Sequence, residues 1–294
     1  MSTEAVIEVD RLHVAYEGFH AVRGLSFQVR RGELYALLGT NGAGKTSALE
    51  VIEGHRAPAS GTVRIFGRAP RDRRAVRPRM GIMLQESGFA PDMTVKETVQ
   101  LIGSLSGRVD IAHRVVDVVG LTRKAGTRVS QLSGGEKRRL DFATAAYGSP
   151  ELLILDEPTT GLDVSARDDL WETVDRLRED GSTIVLTTHY LEEAEERADR
   201  IGLMHQGSLH REGTVAELRR ALPAEIRFRL PAASPAPPAP ARADGEGGFL
   251  IETFDLPDDL YALLRWARDA GVEPRDLEAG PTRLDDVFRS LAGH

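Results

Sequence analysis

Gly39-Thr-Asn-Gly-Ala-Gly-Lys-Thr46 sets two glycines with four residues between them ahead of a lysine and a hydroxyl residue, which is the phosphate-loop pattern. Gly39, Gly42 and Gly44 admit backbone angles that other residues avoid, so successive N–H groups can converge on one phosphate. The preceding stretch, Leu34 to Leu38, is almost wholly apolar, as in a strand buried on both faces. After the loop, Ala48, Leu49, Val51 and Ile52 continue as a helix whose positive dipole end is aimed at the same anion. On this reading Lys45 bridges the terminal phosphates of a nucleotide, and Thr46 ligates Mg²⁺ through its hydroxyl. Strand, glycine-rich turn and helix in that order argue for an α/β sheet covered by helices.

The chain has 294 residues, room for one large domain or two modest ones. At 41% hydrophobic and 28% charged it has the composition of an ordinary soluble globular protein. Cysteine is absent, which excludes disulfide frameworks, thiolate metal sites and cysteine nucleophiles together. The formal charge of −7, from 45 acids against 38 bases, argues against broad electrostatic capture of nucleic acid. No apolar run approaches the roughly 18–20 residues needed to cross a bilayer, and the N-terminus lacks the basic and apolar regions of a signal peptide. The expectation is an intracellular protein whose membrane role comes through a partner.

Val6 to Val14 and Leu25 to Val29 alternate like half-buried strands. Thr94 with Glu97, Ser133 with Glu136, Ser165 with Asp168 and Thr214 with Glu217 have the spacing of helix capping boxes. After about residue 222 the composition changes. Ala224 to Leu230 and Phe249 to Phe254 read as strands, and between them lies a Pro-, Gly- and charge-rich stretch, about 231–248. Either it is a stiff interdomain linker or a long loop joining two strands of one small unit. The flanking strands favour the loop. Leu260 to Trp266 and Thr282 to Leu291 read as short helices.

Leu152-Leu-Ile-Leu-Asp-Glu-Pro158 is an apolar strand ending in two acids, at the sheet edge where α/β ligand sites form. Asp156 then reaches the Mg²⁺ shell while Glu157 polarises an attacking water, the two roles that phosphoryl transfer to water requires. His189 closes another apolar strand and Gln85 follows the strand Gly81 to Leu84; by themselves both are ambiguous. No His-x-x-x-His or His-Glu-x-x-His spacing points to a metal site at His189.

Leu132-Ser-Gly-Gly-Glu136 is locally a helix cap with exposed backbone N–H groups, a second anion-binding helix start in the same chain. The full string resembles the signature sequence of ATP-binding cassette (ABC) transporter ATPases, and the other motifs follow that family's order over roughly residues 5–220. Tyr16 stands as the adenine-stacking aromatic (with Phe19 close by), 39–46 as the phosphate loop and Gln85 as the Q-loop. The signature at 132–136, the Asp156–Glu157 pair, Gly161-Leu-Asp163 as the D-loop and His189 as the switch histidine come after. Thr40 departs from the usual Pro or small residue, and Lys-Thr-Ser replaces Lys-Ser-Thr, which leaves the metal-binding hydroxyl in place.

The resemblance implies an α/β P-loop NTPase of the ABC ATPase type: a RecA-like core with an N-terminal antiparallel sheet and a helical subdomain over 1–222, plus a small α+β C-terminal domain over 223–294. It implies a head-to-tail pair of ATPase subunits, with each ATP between one phosphate loop and the other subunit's signature helix. ATP contacts would come from Tyr16, Gly39, Thr40, Asn41, Gly42, Ala43, Gly44, Lys45, Thr46 and Ser47. Across the pair, Ser133, Gly134, Gly135, Glu136 and Asp163 would contribute. Catalysis would fall to Glu157 as base with His189 and Gln85, and Mg²⁺ to Thr46, Gln85 and Asp156.

Gly280-Pro-Thr-Arg-Leu-Asp-Asp-Val-Phe-Arg-Ser-Leu-Ala-Gly293 resembles the tail of bacterial drug-export ATPases of the daunorubicin-resistance type, which serve a separately encoded permease at the cytoplasmic face of the membrane. Phe89, Met93 and the helix from Thr94 are the expected docking surface. Arg68, Arg71, Arg73, Arg74, Arg77 and Arg79 crowd one stretch, but without interleaved aromatics or a basic domain no nucleic-acid partner is expected; the run reads as a solvated helix. The alternative is a cassette ATPase acting as a regulatory or nucleic-acid-linked switch.

Overall fold

β1 (Ala5–Tyr16) and β2 (Phe19–Arg30) pair antiparallel across Glu17-Gly18, both at positive φ (37° and 91°), a turn whose twist matches that of the flanking strands. This computed structural model describes residues 4–85, 88–220, 223–231, 234–238, 240–244, 248–281 and 284. Two compact units result, Met1–Glu212 and Gly213–His294; the division falls ahead of the composition change near 222.

In the first unit, β3 (Leu34–Gly39) is buried at all six positions and leads into α1 (Lys45–Ile52). β4 (Ser60–Ile65) then returns to pair with β1, giving a three-stranded sheet of order β2-β1-β4. α2 (Arg73–Val76) and β5 (Met80–Met83) precede a helical segment made of α3 (Val95–Ser106), α4 (Ala112–Val118) and α5 (Gly134–Ala146). The chain continues through β6 (Leu152–Asp156), α6 (Val164–Glu179), β7 (Thr183–Thr187), α7 (Leu191–Arg197), β8 (Arg200–His205) and β9 (Ser208–Gly213). The second sheet has the order β5-β6-β7-β3-β8-β9, with parallel ladders from β5 through β8.

One apolar cluster serves both sheets. Ile7, Leu12 and Leu25 of the antiparallel sheet meet Leu49 and Ile52 of α1, and Leu37 and Ile154 of the parallel sheet. Each such side chain contributes about 1.5–3 kcal/mol when fully buried. Phe27 stacks on Tyr35 at 5.1 Å between ring centroids.

The capping signals place the helix starts with one exception. Thr94 and Ser133 form complete capping boxes with Glu97 and Glu136, and Thr214 and Glu217 exchange the same two bonds. Ser165 does not cap. It lies inside α6, because Asp163 takes the N-cap and accepts from the Ala166 N–H at 2.8 Å.

The arginine stretch is not simply a solvated helix. Arg77 donates to the Glu53 carbonyl (3.0 Å), and Arg79 forks onto Glu151 (2.6 and 2.8 Å) while covering the Phe66 ring at 3.6 Å. Only the four residues of α2 are α-helical there.

The second unit begins with α8 (Val215–Arg220). β10 (Ala224–Arg229), β11 (Arg242–Ala243), β12 (Phe249–Thr253) and β13 (Arg275–Gly280) then form a sheet of order β11-β12-β10-β13. α9 (Leu256–Asp269) is longer than the expected helix and is capped by Asp255. Ile226, Phe228, Ile251 and Leu263 make its core. β10 and β12 pair antiparallel from Ala224↔Thr253 to Phe228↔Phe249, and β11 pairs with β12, so the strands flanking the Pro-rich stretch lie in one sheet. The helix expected over Thr282 to Leu291 lies, apart from Leu284, outside the described residues.

Arg79, with Arg31 assisting, holds the Glu151 carboxyl down to about 2 from 4.5. A depressed folded-state value stabilises fully above about 4.5, and the contribution fades as pH falls toward about 2. Urea unfolding of Glu151→Gln beside wild type across that range should show a stability gap that closes on acidification; a gap of constant size would exclude the linkage.

Candidate nucleotide and hydrolysis site

The phosphate loop turns from β3 into α1 through two left-handed glycines, Gly42 (φ 77°) and Gly44 (φ 95°). A Cβ on Gly44 would lie 2.3 Å from the Ala21 carbonyl oxygen, whereas one on Gly42 would meet nothing within 4 Å. Angle and close approach both demand glycine at 44; the angle alone demands it at 42. The loop is tied by Ala43 N–H to the Thr40 carbonyl and Gly207 N–H to the Ala43 carbonyl, each 3.0 Å. Asn41 and Thr46 are exposed. The Lys45 ammonium folds back to donate to the Gly39 (2.6 Å) and Thr40 (3.3 Å) carbonyls. Burial lowers its pKa, and the Glu157 and Asp156 carboxylates oppose that shift.

Tyr16 is held against the same helix. Its hydroxyl lies 3.0 Å from a Glu50 carboxylate oxygen and 3.1 Å from Ser47 Oγ, and the Arg56 guanidinium sits 4.1 Å over its ring. Phe19 is 61% exposed.

At the end of β6, Asp156 is 8% exposed. Burial raises its pKa, while the hydroxyl of Thr187, at the end of β7, donates to Oδ1 and opposes the rise. The next residue, Glu157, has φ 50°, and its N–H donates to the Thr187 carbonyl at 2.9 Å. Three side chains converge on Glu157 Oε2: Gln85 Nε2, His189 Nδ1 and Thr160 Oγ1, each at 3.5 Å. The His189 ring packs on Tyr190 at 4.2 Å, and Arg167 of α6 covers Tyr190 at 5.0 Å. Gln85 and His189, far apart in the chain, are thus brought to one carboxylate. Thr160, Thr187 and Arg138 of α5 belong to the same locality and carry no sequence signal of their own.

The signature residues stand apart. Ser133 and Gly134 are exposed at the start of α5, where Glu136 Oε2 accepts from the Ser133 N–H (2.9 Å) and Lys124 lies 3.4 Å from Glu136 Oε1. Among the described residues no hydrogen bond or ion pair joins Ser133, Gly134, Gly135 or Glu136 to the phosphate loop. The Asp163 side chain is committed to its helix cap.

Asp156, Thr46 and Gln85 offer oxygen donors only, the type a hard divalent cation takes. Among the described residues no group of three or more His, Asp or Glu side chains is placed to hold a metal. That donor set fits Mg²⁺ carried in with substrate phosphates rather than held in an all-protein cage.

The two glycines separate strain from collision. Gly42→Ala should cost only left-handed strain, about 1–2 kcal/mol, whereas Gly44→Ala should cost clearly more and weaken nucleotide binding as well. Denaturant unfolding with a fluorescent-nucleotide titration reads both; equal effects at the two positions would contradict the geometry.

Residues 22–160 match the family described as ABC transporter, and residues 224–282 match the C-terminal domain of ABC transporter domain-containing protein-like sequences. The Nod factor export ATP-binding protein I of Paraburkholderia xenovorans (strain LB400) is 42% identical, over 99% of this chain and 98% of its own. The daunorubicin/doxorubicin resistance ATP-binding protein DrrA of Streptomyces peucetius is 34% identical, over 98% of this chain and 92% of its own. An ATP-binding cassette solved as a dimer in a post-hydrolysis state with ADP and Pi shares the fold at TM-score 0.66 and 24% identity, covering 71% of this chain and 98% of that one. Phosphate loop, carboxylate pair, signature helix and these likenesses agree: the chain belongs to the ABC transporter ATPase family, as an ATP-binding subunit.

Proposed function

We propose that this chain is the ATP-hydrolysing subunit of a membrane exporter for small hydrophobic compounds, coupling closure of a two-subunit cassette to a separate permease. The observation that carries the reading is the convergence of Gln85, His189 and Thr160 on the Glu157 carboxylate, one residue beyond Asp156. Its relatives' names support the export role: one exports Nod factor and another confers daunorubicin/doxorubicin resistance. Those names give no support to the regulatory or nucleic-acid-linked alternative. No helix among the described residues is long and apolar enough to cross a membrane, so attachment is proposed to come through the permease, with Phe89, Met93 and α3 as its docking surface.

In this mechanism Lys45 leaves the Gly39 and Thr40 carbonyls for the β- and γ-phosphates, and the loop N–H groups cradle the same oxygens. Tyr16 stacks on adenine, a contact that selects weakly among bases. Thr46, Asp156 and Gln85 would hold Mg²⁺, which when bound would supply positive charge against the phosphates. Glu157 accepts a proton from the attacking water as its oxygen bonds to the γ-phosphorus and the bond to the ADP oxygen breaks. His189 orients that water and the γ-phosphate. The enclosure is completed by Ser133, Gly134, Gly135 and Glu136 of a second subunit facing the opposite way, with Asp163 at the join. The exposed start of α5, where the capping box takes the Ser133 and Glu136 N–H groups and leaves those of Gly134 and Gly135, supplies that half.

Two variants test the reading. Glu157→Gln should retain ATP binding while turnover falls roughly 10²–10⁴-fold, the range for losing a general base. Unchanged turnover would remove Glu157 from the role. Ser133→Arg gives up a helix cap worth about 1 kcal/mol, yet the monomer should still fold. ATP-dependent dimerisation, followed by light scattering, should be lost. A Ser133→Arg chain that dimerises and hydrolyses normally would end the shared-site model.

A further inference from the structure

Arg138 stands in the first half of α5, five residues after Ser133, and is 7% exposed. Its guanidinium is spent on main-chain oxygens from two separate segments. It donates to Leu84 (2.7 Å) and Gln85 (3.1 Å) after β5. It also donates to Asp156, the last residue of β6, and to Glu157 (2.6 Å) and Pro158 (3.3 Å) beyond it. A planar fork with N–H groups on three nitrogens can reach both segments at once, which the single ammonium of lysine cannot do. Burial lowers its pKa, and the nearby Asp141, Asp156 and Glu157 carboxylates oppose that shift.

Two features make this more than a packing contact. Glu157 holds φ 50°, a region that non-glycine residues seldom occupy and that persists only where the surroundings over-determine it. Arg138 grips the carbonyls of the residues before and after Glu157 as well as its own. The same side chain also grips the carbonyl of Gln85, whose amide lies 3.5 Å from the Glu157 carboxylate.

We propose that Arg138 is a positioning residue of the hydrolytic site, a clamp that fixes the backbone of Glu157 and of Gln85 to one guanidinium so that base and glutamine keep a single relative geometry. The inference rests on the reading of Glu157 as general base. It makes the first turns of the signature helix part of its own subunit's hydrolytic centre, in addition to the face offered to a second subunit. A displacement of the Gln85 segment is then carried to Glu157 through one side chain.

The test uses the full chain with Arg138→Met and Arg138→Lys, beside Gln85→Ala and Glu157→Gln. Arg138→Met should lower kcat roughly 10–100-fold, the scale of an ångström-sized misplacement. KM for ATP should stay within about threefold. Arg138→Lys, which keeps the charge but not the fork, should recover part of the loss. Hydrogen exchange should quicken together around Gln85 and Glu157 and stay unchanged in the antiparallel sheet. The double variant Gln85→Ala/Arg138→Met should lose less than the product of the single losses, because the two act on one geometry. Wild-type kcat in Arg138→Met, exchange that rises throughout the unit, or losses that multiply would each overturn the clamp. Failure of the underlying reading looks different: Glu157→Gln would hydrolyse ATP at the wild-type rate whatever the Arg138 variants do.

Discussion

The parallel strands β3, β6 and β7 are buried at every position, and this constrains everything else in the first unit. A strand covered on both faces must pair its backbone groups in the ladder and fill its sides with apolar atoms. Ionic and hydrogen-bonding chemistry therefore has to gather where the strands stop. Gly39 ends β3 and the rest of the phosphate loop follows it, Asp156 and Glu157 lie at or just beyond the end of β6, and Thr187 and His189 lie at or just beyond the end of β7. Adjacent strands in register bring these ends together, as the Asp156↔Thr187 pairing does. The antiparallel sheet and α1 seal one side of that arrangement with a shared apolar cluster.

Charge placement follows from the same edge. Asp156 sits deep enough for burial to raise its pKa, and Lys45 deep enough for burial to lower its own. Each moderates the other, so the site holds opposite charges in poorly solvated positions without a direct ion pair between them. Glu157 occupies the more open position beside Gln85 and His189. Its left-handed backbone turns the chain sharply after β6.

Much of this was legible from sequence wherever the signal is local. The phosphate loop and the capping boxes at Thr94 and Ser133 depend on residues within a few positions of one another. Ser165 misled because Asp163, two residues earlier, is an equally good cap and already sits in extended backbone. β13 escaped notice because its Arg275–Gly280 sequence has no buried alternation to read. The arginine stretch looked uniformly solvated because nothing local distinguishes Arg77 and Arg79, whose partners Glu53 and Glu151 lie elsewhere in the chain. Thr187, Thr160 and Arg138 were invisible for the same reason: their importance lies in what the sheet edge brings beside them. Tyr16 stands as the adenine-facing aromatic through family order alone; its hydroxyl contacts with Ser47 and Glu50 depend on α1, which local sequence does not place beside it.

The hairpin of β10 and β12 carries an evolutionary consequence. Its two strands are fastened side by side by their own ladder, from Ala224↔Thr253 to Phe228↔Phe249, so the excursion between them does not set the register. For such an excursion the entropy of closure grows only logarithmically, about 0.6 kcal/mol for each doubling of length. Lineages can lengthen or shorten the proline-bearing segment almost freely, and divergence should accumulate there while the strands on either side hold their pairing.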